Sequence, residues 1–204
     1  MTRKFKALGL ALFATLALGA VMASAALATE FTASSYPVTY SGTQAATEPH
    51  RFAIDTYEGN CKDITFSGEA KGTSTTLTLT PKFNECTFAG LSATVTTNGC
   101  SFLLHLPSAG TDATVDLTCP AGQELTIDIA AGTCVVHIFP FTGKSKVAFS
   151  NAHPNLKSVW DISGMLAGLT DLSFFCPFAG DTTVATGTYS GNLTLSGSST
   201  IDIG

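Results

Sequence analysis

Charge is scarce in this chain. Charged residues make up 12% of its 204 residues, about half the usual share. The shortage falls mainly on cations, with ten lysines and arginines against fifteen aspartates and glutamates, a formal net charge of -5. An acidic chain repels phosphate backbones and anionic headgroups, so nucleic acid and membrane surfaces are excluded as electrostatic partners. Tryptophan is down to one residue and tyrosine to four, against fourteen phenylalanines. Sugar-stacking platforms use rings with a polar handle, whereas phenylalanine fills cores. Trp160, Tyr36, Tyr40, Tyr57 and Tyr189 are therefore the stacking candidates, and each is expected to be structural.

Closely spaced cysteines are missing too. The nearest two are Cys86 and Cys100, 100 − 86 = 14 positions apart, whereas zinc sites use pairs roughly two to four apart. Nor does the chain contain a G-x-S-x-G elbow, an S-x-x-K pair, an H-E-x-x-H helix, a calcium loop or a glycine-rich phosphate cradle. The sequence accordingly assigns no catalytic, no cofactor-binding and no metal residue. Catalysis by residues gathered from distant strands stays open, because four histidines, His50, His105, His137 and His153, accompany nine aspartates and many serines. His105 is expected on an outer face beside Thr114, His137 packed within the apolar run CVVHIFPF, and His153 in the loop SNAHPN. Asn192-Leu193-Thr194 fits a glycosylation sequon inside an alternating strand.

What the chain does contain begins with an export signal. Arg3, Lys4 and Lys6 form a positive region, Ala7 to Val21 an apolar run, and Ala26-Leu27-Ala28 a small-x-small cleavage site, with Ala25 as an alternative cut. Residues 1–28 are thus expected to be removed, leaving 29–204 as a single secreted domain. Removal takes three of the ten cations and no anion, so the net charge becomes 7 − 15 = −8. No cysteine lies at either cut and the tail SGSSTIDIG is polar, so no stable membrane insertion is expected. The six cysteines, Cys61, Cys86, Cys100, Cys119, Cys134 and Cys176, all follow the cut; an even count in an exported chain points to disulfides.

From residue 61 onward the pattern is period two. Ile64 and Phe66 oppose Thr65 and Ser67, Leu77 and Leu79 oppose Thr76, Thr78 and Thr80, and the alternation returns at Leu125–Ile129, Val147–Phe149 and Leu193–Leu195. Such spacing predicts an all-β, antiparallel β-sandwich, with a jelly-roll-like or partly open barrel as the alternative. Asn98-Gly99 predicts a tight hairpin that sets Val95 against Phe102. A second reversal at Ala109-Gly110 sets Leu104 against Val115 and places Cys100 opposite Cys119 on the apolar side. A third sets Ile64 against Phe83 and Cys61 against Cys86, here on the polar parity. Cys134 and Cys176 remain as the third pair. Pro81 predicts an edge or a bulge. Residues 156–169 fit both helical spacing and alternation, and are read as strand because Gly164 and Gly168 weaken a helix.

Taken together, the start FTASSYPVTYSGT, Cys61, ECTFAG, NGCSF, LTCPAGQ, the Cys134 strand, CPFAG and GTYSGNLTLSG resemble small secreted six-cysteine all-β proteins of unknown function encoded in many copies by some actinobacteria. The resemblance implies a fold and a bond pattern, and no activity or site. The expected function is a non-catalytic extracellular or envelope-associated binding or structural module, whose partner is an unknown ligand or envelope component. The other reading is a secreted hydrolase with a catalytic set assembled from separate strands.

Overall fold

The structure, a computed structural model, describes residues 29–132, 134–170, 176 and 185–204. The expected signal segment, 1–28, lies outside the described residues. Among the described residues every element is a strand, and every strand pairing is antiparallel.

Four long strands carry the architecture: β4 (Tyr57–Ala70), β5 (Thr76–Phe88), β12 (Asn155–Thr170) and β13 (Ala185–Gly197). One half of each belongs to a first ring, closed in the order β4, β5, β7 (Ser101–His105), β8 (Asp112–Thr118), β11 (Phe141–Ala152), β12, β13, β2 (Val38–Gln44) and back to β4. Their other halves belong to a second ring, closed as β4, β5, β6 (Leu91–Thr96), β9 (Leu125–Ile129), β10 (Cys134–Ile138), β12, β13, β3 (Arg51–Ile54) and back to β4. A separate ribbon pairs β1 (Phe31–Ala33) with β14 (Ile201–Ile203). The expected antiparallel all-β fold is present, and its layers are joined at their margins by strand pairing. Every ring strand has a neighbour on both sides, which removes the open edges that invite strand addition.

The waist between the rings explains where simple alternation breaks. On β12, Leu156, Ser158, Trp160 and Ile162 point inward, then Met165, Ala167 and Leu169 do, because a bulge at Ser163-Gly164 shifts the register against β13. That one-residue slip makes Leu156, Ile162 and Leu169 match a helical period while lying in a strand. It also turns Leu166 outward, with 49% of its surface exposed. A paired slip occurs on β4 and β5. Lys62 and Asp63 are both exposed opposite Asn84 and Glu85, and Glu85 has φ 49°. The inward parity therefore flips on both strands at once, the Ile64↔Phe83 and Cys61↔Cys86 registers both hold, and both cysteines are buried although strict alternation puts them outside.

Asn98-Gly99 corrects the expected hairpin. The two residues adopt the positive φ of a tight turn, 51° and 81°, and the Cys100 N–H donates to the Thr97 carbonyl at 2.8 Å. No β6–β7 pairing follows. Both strands run antiparallel to β5, β6 against Cys86–Phe88 and β7 against Thr76–Leu79, so the turn is a step that carries the chain from one ring to the other. Pro81 sits on β5 between these two contacts, where its missing N–H interrupts no ladder on that side.

All three expected disulfides are present: Cys61–Cys86, Cys100–Cys119 and Cys134–Cys176, with Cα separations of 3.8, 4.1 and 5.1 Å. The first braces β4 to β5 within the second ring, beside the waist. The second closes the β7–β8 hairpin, whose register, Phe102↔Leu117 and Leu104↔Val115, is the expected one. Three such bonds fit a protein kept in an oxidising compartment.

Candidate functional site

The waist is filled by rings. Trp160 on β12 stacks on Phe66 of β4 at 5.4 Å and meets Phe102 of β7 edge-on at 5.3 Å. Tyr189 on β13 packs on Phe52 of β3 at 4.8 Å, and Phe52 on Phe83 of β5 at 5.4 Å. Six strands, the four long ones among them, thus meet through aromatic side chains where both rings share a core. The Trp160 indole N–H donates to Ser158 Oγ at 2.9 Å, which satisfies the one polar atom of the ring.

Into this cluster the chain inserts a histidine. Residues 45–50 form a strap from β2 to β3, and it passes over β13 at Gly191, the register partner of Trp160. His50 ends the strap with no exposed surface, its ring 5.1 Å from Tyr189, 5.5 Å from Phe66 and 5.8 Å from Trp160. Neither ring nitrogen has a hydrogen-bond partner among the described residues. Burial lowers its pKa from 6.5 to about 4, against an opposing pull from the Asn192 backbone, so the imidazole is neutral at pH 7. Burial also raises the Tyr189 phenol well above 10 and Tyr40 to about 12, where the neighbouring Tyr36 adds to it. Both hydroxyls are buried without a partner among the described residues.

The other three histidines lie outside, each beside a carboxylate. His105, opposite Thr114 as expected, reaches Asp116 at 3.0 Å across the β7–β8 pair, and Asp116 also accepts the Gly143 N–H at 2.6 Å. His137 bonds Glu124 through Nδ1 and is half-buried rather than packed away. His153 faces Asp202 at 3.3 Å. These pairs lie on different strand pairs, and the fold does not gather them into one site.

Among the stacking candidates, Trp160, Tyr40 and Tyr189 are buried and offer no platform. Tyr36 is half-buried and its hydroxyl accepts the Ala33 N–H at 2.9 Å. Tyr57 is half-buried at the start of β4. Asn192 of the sequon is tied to the strap, donating its side-chain amide to Glu48 at 3.4 Å.

The exterior holds a feature that single-strand reading misses. Ser196, Ser41, Ser67, Thr80, Ser101 and Thr118 occupy successive strands β13, β2, β4, β5, β7 and β8 and form one row across the first ring. Register pairs Ser196 with Ser41, Ser41 with Ser67, Ser67 with Thr80 and Ser101 with Thr118, and the Thr80 and Ser101 hydroxyls lie 3.1 Å apart. Thr194, Thr43 and Thr65 begin a parallel row that ends at Lys82. Strands stand about 4.8 Å apart, so the first row presents evenly spaced donors and acceptors, none of them charged. Sequence shows the alternation on each strand; only the register aligns the strands with one another.

Fold and surface together define a closed, disulfide-braced antiparallel β protein whose exterior carries an uncharged row of hydroxyls. Compared with known proteins, the chain matches no family model, and neither a curated protein nor a solved structure matches it. Among the described residues no helix is long and apolar enough to cross a membrane, which leaves strand-based spanning unaddressed.

Proposed function

We propose that the chain is exported, cut after Ala28, and acts outside the cell without catalysis, binding a neutral polyhydroxylated polymer of the envelope. The observation that carries this reading is the row from Ser196 to Thr118. Its hydroxyls both donate and accept, as a glycan's do, and it lacks the charges that an ionic partner would require. The three disulfides favour an extracellular setting, and the resemblance to secreted six-cysteine proteins agrees with it. Cross-strand hydroxyl pairs also stabilise the sheet itself, by a few tenths of a kcal/mol each.

Co-sedimentation of the mature protein with insoluble envelope polysaccharide tests the reading. Ser67 and Thr80 are exposed, so Ser67→Asp with Thr80→Asp leaves the core untouched. Burying two unpaired carboxylates against a neutral polymer lowers the bound fraction at least ~10-fold. Undiminished binding by this double variant refutes the row as the contact. The hydrolase reading draws on one observation, the three surface histidine–carboxylate pairs, and predicts that the polymer is cut.

A further inference from the structure

His50 breaks a rule that most of the interior obeys. Apart from Ser158 and the phenols of Tyr40 and Tyr189, it is the only buried polar side chain among the described residues, and burying two ring nitrogens without side-chain partners costs free energy that a leucine or phenylalanine avoids. Packing alone gives no reason for an imidazole here. Its surroundings are rings: Phe66 from β4, Trp160 from β12 and Tyr189 from β13.

The strap that carries it is held lightly elsewhere. The Ala45 N–H donates to the Asn192 carbonyl at 2.8 Å, the Asn192 N–H to the Glu48 carbonyl at 3.1 Å, and the His50 N–H to Gln44 Oε1 at 3.2 Å. Gln44 in turn donates to the Cys61 and Lys62 carbonyls at 3.2 and 2.7 Å, which ties the root of the strap to β4. Ala46, Thr47 and Glu48 are exposed. The buried imidazole is the strap's one deep anchor.

We propose that His50 is an acid-released latch: the neutral imidazole seats strap 45–50 over Gly191, and protonation drives the ring into water, uncovering Phe66, Trp160 and Tyr189. The side chains that face it favour this direction, and the Asn192 backbone, which pulls the ring toward its protonated form, only partly offsets the effect of burial. Tyr189 is the titratable group in contact with the ring, and its buried phenol stays neutral. β4 and β12 present Phe66 and Trp160, which carry no charge, and β2 presents the Gln44 amide to the backbone. Glu48 lies exposed on the strap with its carboxylate on the Asn192 side chain, and the exposed Arg51 pairs with Glu58 at 3.9 Å. Among the described residues no carboxylate is placed to compensate an imidazolium among the rings.

The sign follows from linkage. The seated ring titrates near 4 and a released one near 6.5, so the released state binds more protons between those values. Closure is complete in strength above pH 6.5, weakens as pH falls, and levels off below pH 4. The closed-to-open ratio drops by up to ~300-fold in the acid limit, which is ten raised to 6.5 − 4, and by ~100-fold between pH 7 and pH 4, where the seated ring is half protonated. The disulfides join residues outside the strap and hold the rings while it opens.

Amide hydrogen exchange on the oxidised mature protein from pH 7 to pH 4, corrected for intrinsic rates, tests the latch. Opening of the Ala45, His50 and Asn192 amides should rise by ~100-fold between pH 7 and pH 4 while β7–β8 amides stay constant. In His50→Phe the strap amides should show no such rise. A pH-independent strap in the wild type, or an unchanged rise in His50→Phe, overturns the proposal. A second readout needs no variant: the His50 ring-proton shifts in the wild type should titrate below 6.5 together with strap opening, and a midpoint near 6.5 with the strap closed also overturns it.

Discussion

Gly191→Ala is expected to destabilise the protein by about 4 kcal/mol, a large share of a total stability of about 5–15 kcal/mol. Two costs combine. Gly191 has φ +156°, a conformation that L residues rarely adopt, and a Cβ there would lie 2.5 Å from the His50 Cα, 2.6 Å from its Cγ and 2.9 Å from its Cδ2. Strained backbone contributes about 1–3 kcal/mol and overpacking a similar amount. Gly110→Ala separates the two costs, because Gly110 also has positive φ, +93°, with nothing within 4 Å of the added carbon. It should lose only about 1 kcal/mol, read as the difference in denaturant midpoint at constant slope. Trimming the ring in Gly191→Ala/His50→Ala should restore only part of the loss, since the clash with the His50 Cα persists. Equal effects at Gly191 and Gly110 would remove the close approach of strap and β13 from the account.

Replacing Cys100 and Cys119 together by alanine is expected to cost about 3 kcal/mol. The bond closes a segment of sequence separation 19, and the chain-entropy relation gives about 3 kcal/mol for a loop of that size. The register supports a bond in place, because Ser101 pairs with Thr118 directly beside it and Cys100 is fully buried. Thermal unfolding of the double variant should keep the wild-type β signature at low temperature and shift to a lower midpoint. Loss of the folded signature at all temperatures would mean that the β7–β8 hairpin depends on its bond rather than on Phe102, Leu104, Val115 and Leu117.

Much of this architecture was legible in the residues, and its failures share one physical origin. Period-two alternation found the strands, and the hairpin arithmetic placed Cys61 opposite Cys86 and Cys100 opposite Cys119, as the structure has them. Strict inward–outward alternation, though not the pairing register between β4 and β5, failed where a strand crosses the waist. Lys62-Asp63 opposite Asn84-Glu85, and Ser163-Gly164 on β12, each add one step that flips the inward side. Such a flip has no signature on a single strand, because the residues on either side still alternate. Asn98-Gly99 took up its turn, but pairing was decided by β5, which offers one partner to β6 and another to β7. Local propensity chose the dihedrals and tertiary context chose the neighbour.

The histidines divide along the same line. His105 could be placed outside beside Thr114 from register alone. His50 could not be placed, because it lies between β2 and β3, in the segment ATEPH, and its burial depends on Gly191 far along the chain. One signal was present: the wide exclusion of side-chain volume at a glycine is paired, in space, with an uncharged ring. Only the register between Trp160 and Gly191 brings that pair together. The hydroxyl row is invisible for the same reason, since it runs across strands rather than along any of them.

The most direct test of the functional account is a chemical-shift map of the mature, isotope-labelled protein titrated with soluble fragments of the envelope polysaccharide at pH 7. Binding by the exterior predicts shifts at Ser41, Ser67, Thr80 and Ser101, saturating together, with fragments recovered intact. Shifts centred on His105 and Asp116, or on another surface histidine–carboxylate pair, with shortening of the fragments, would contradict it.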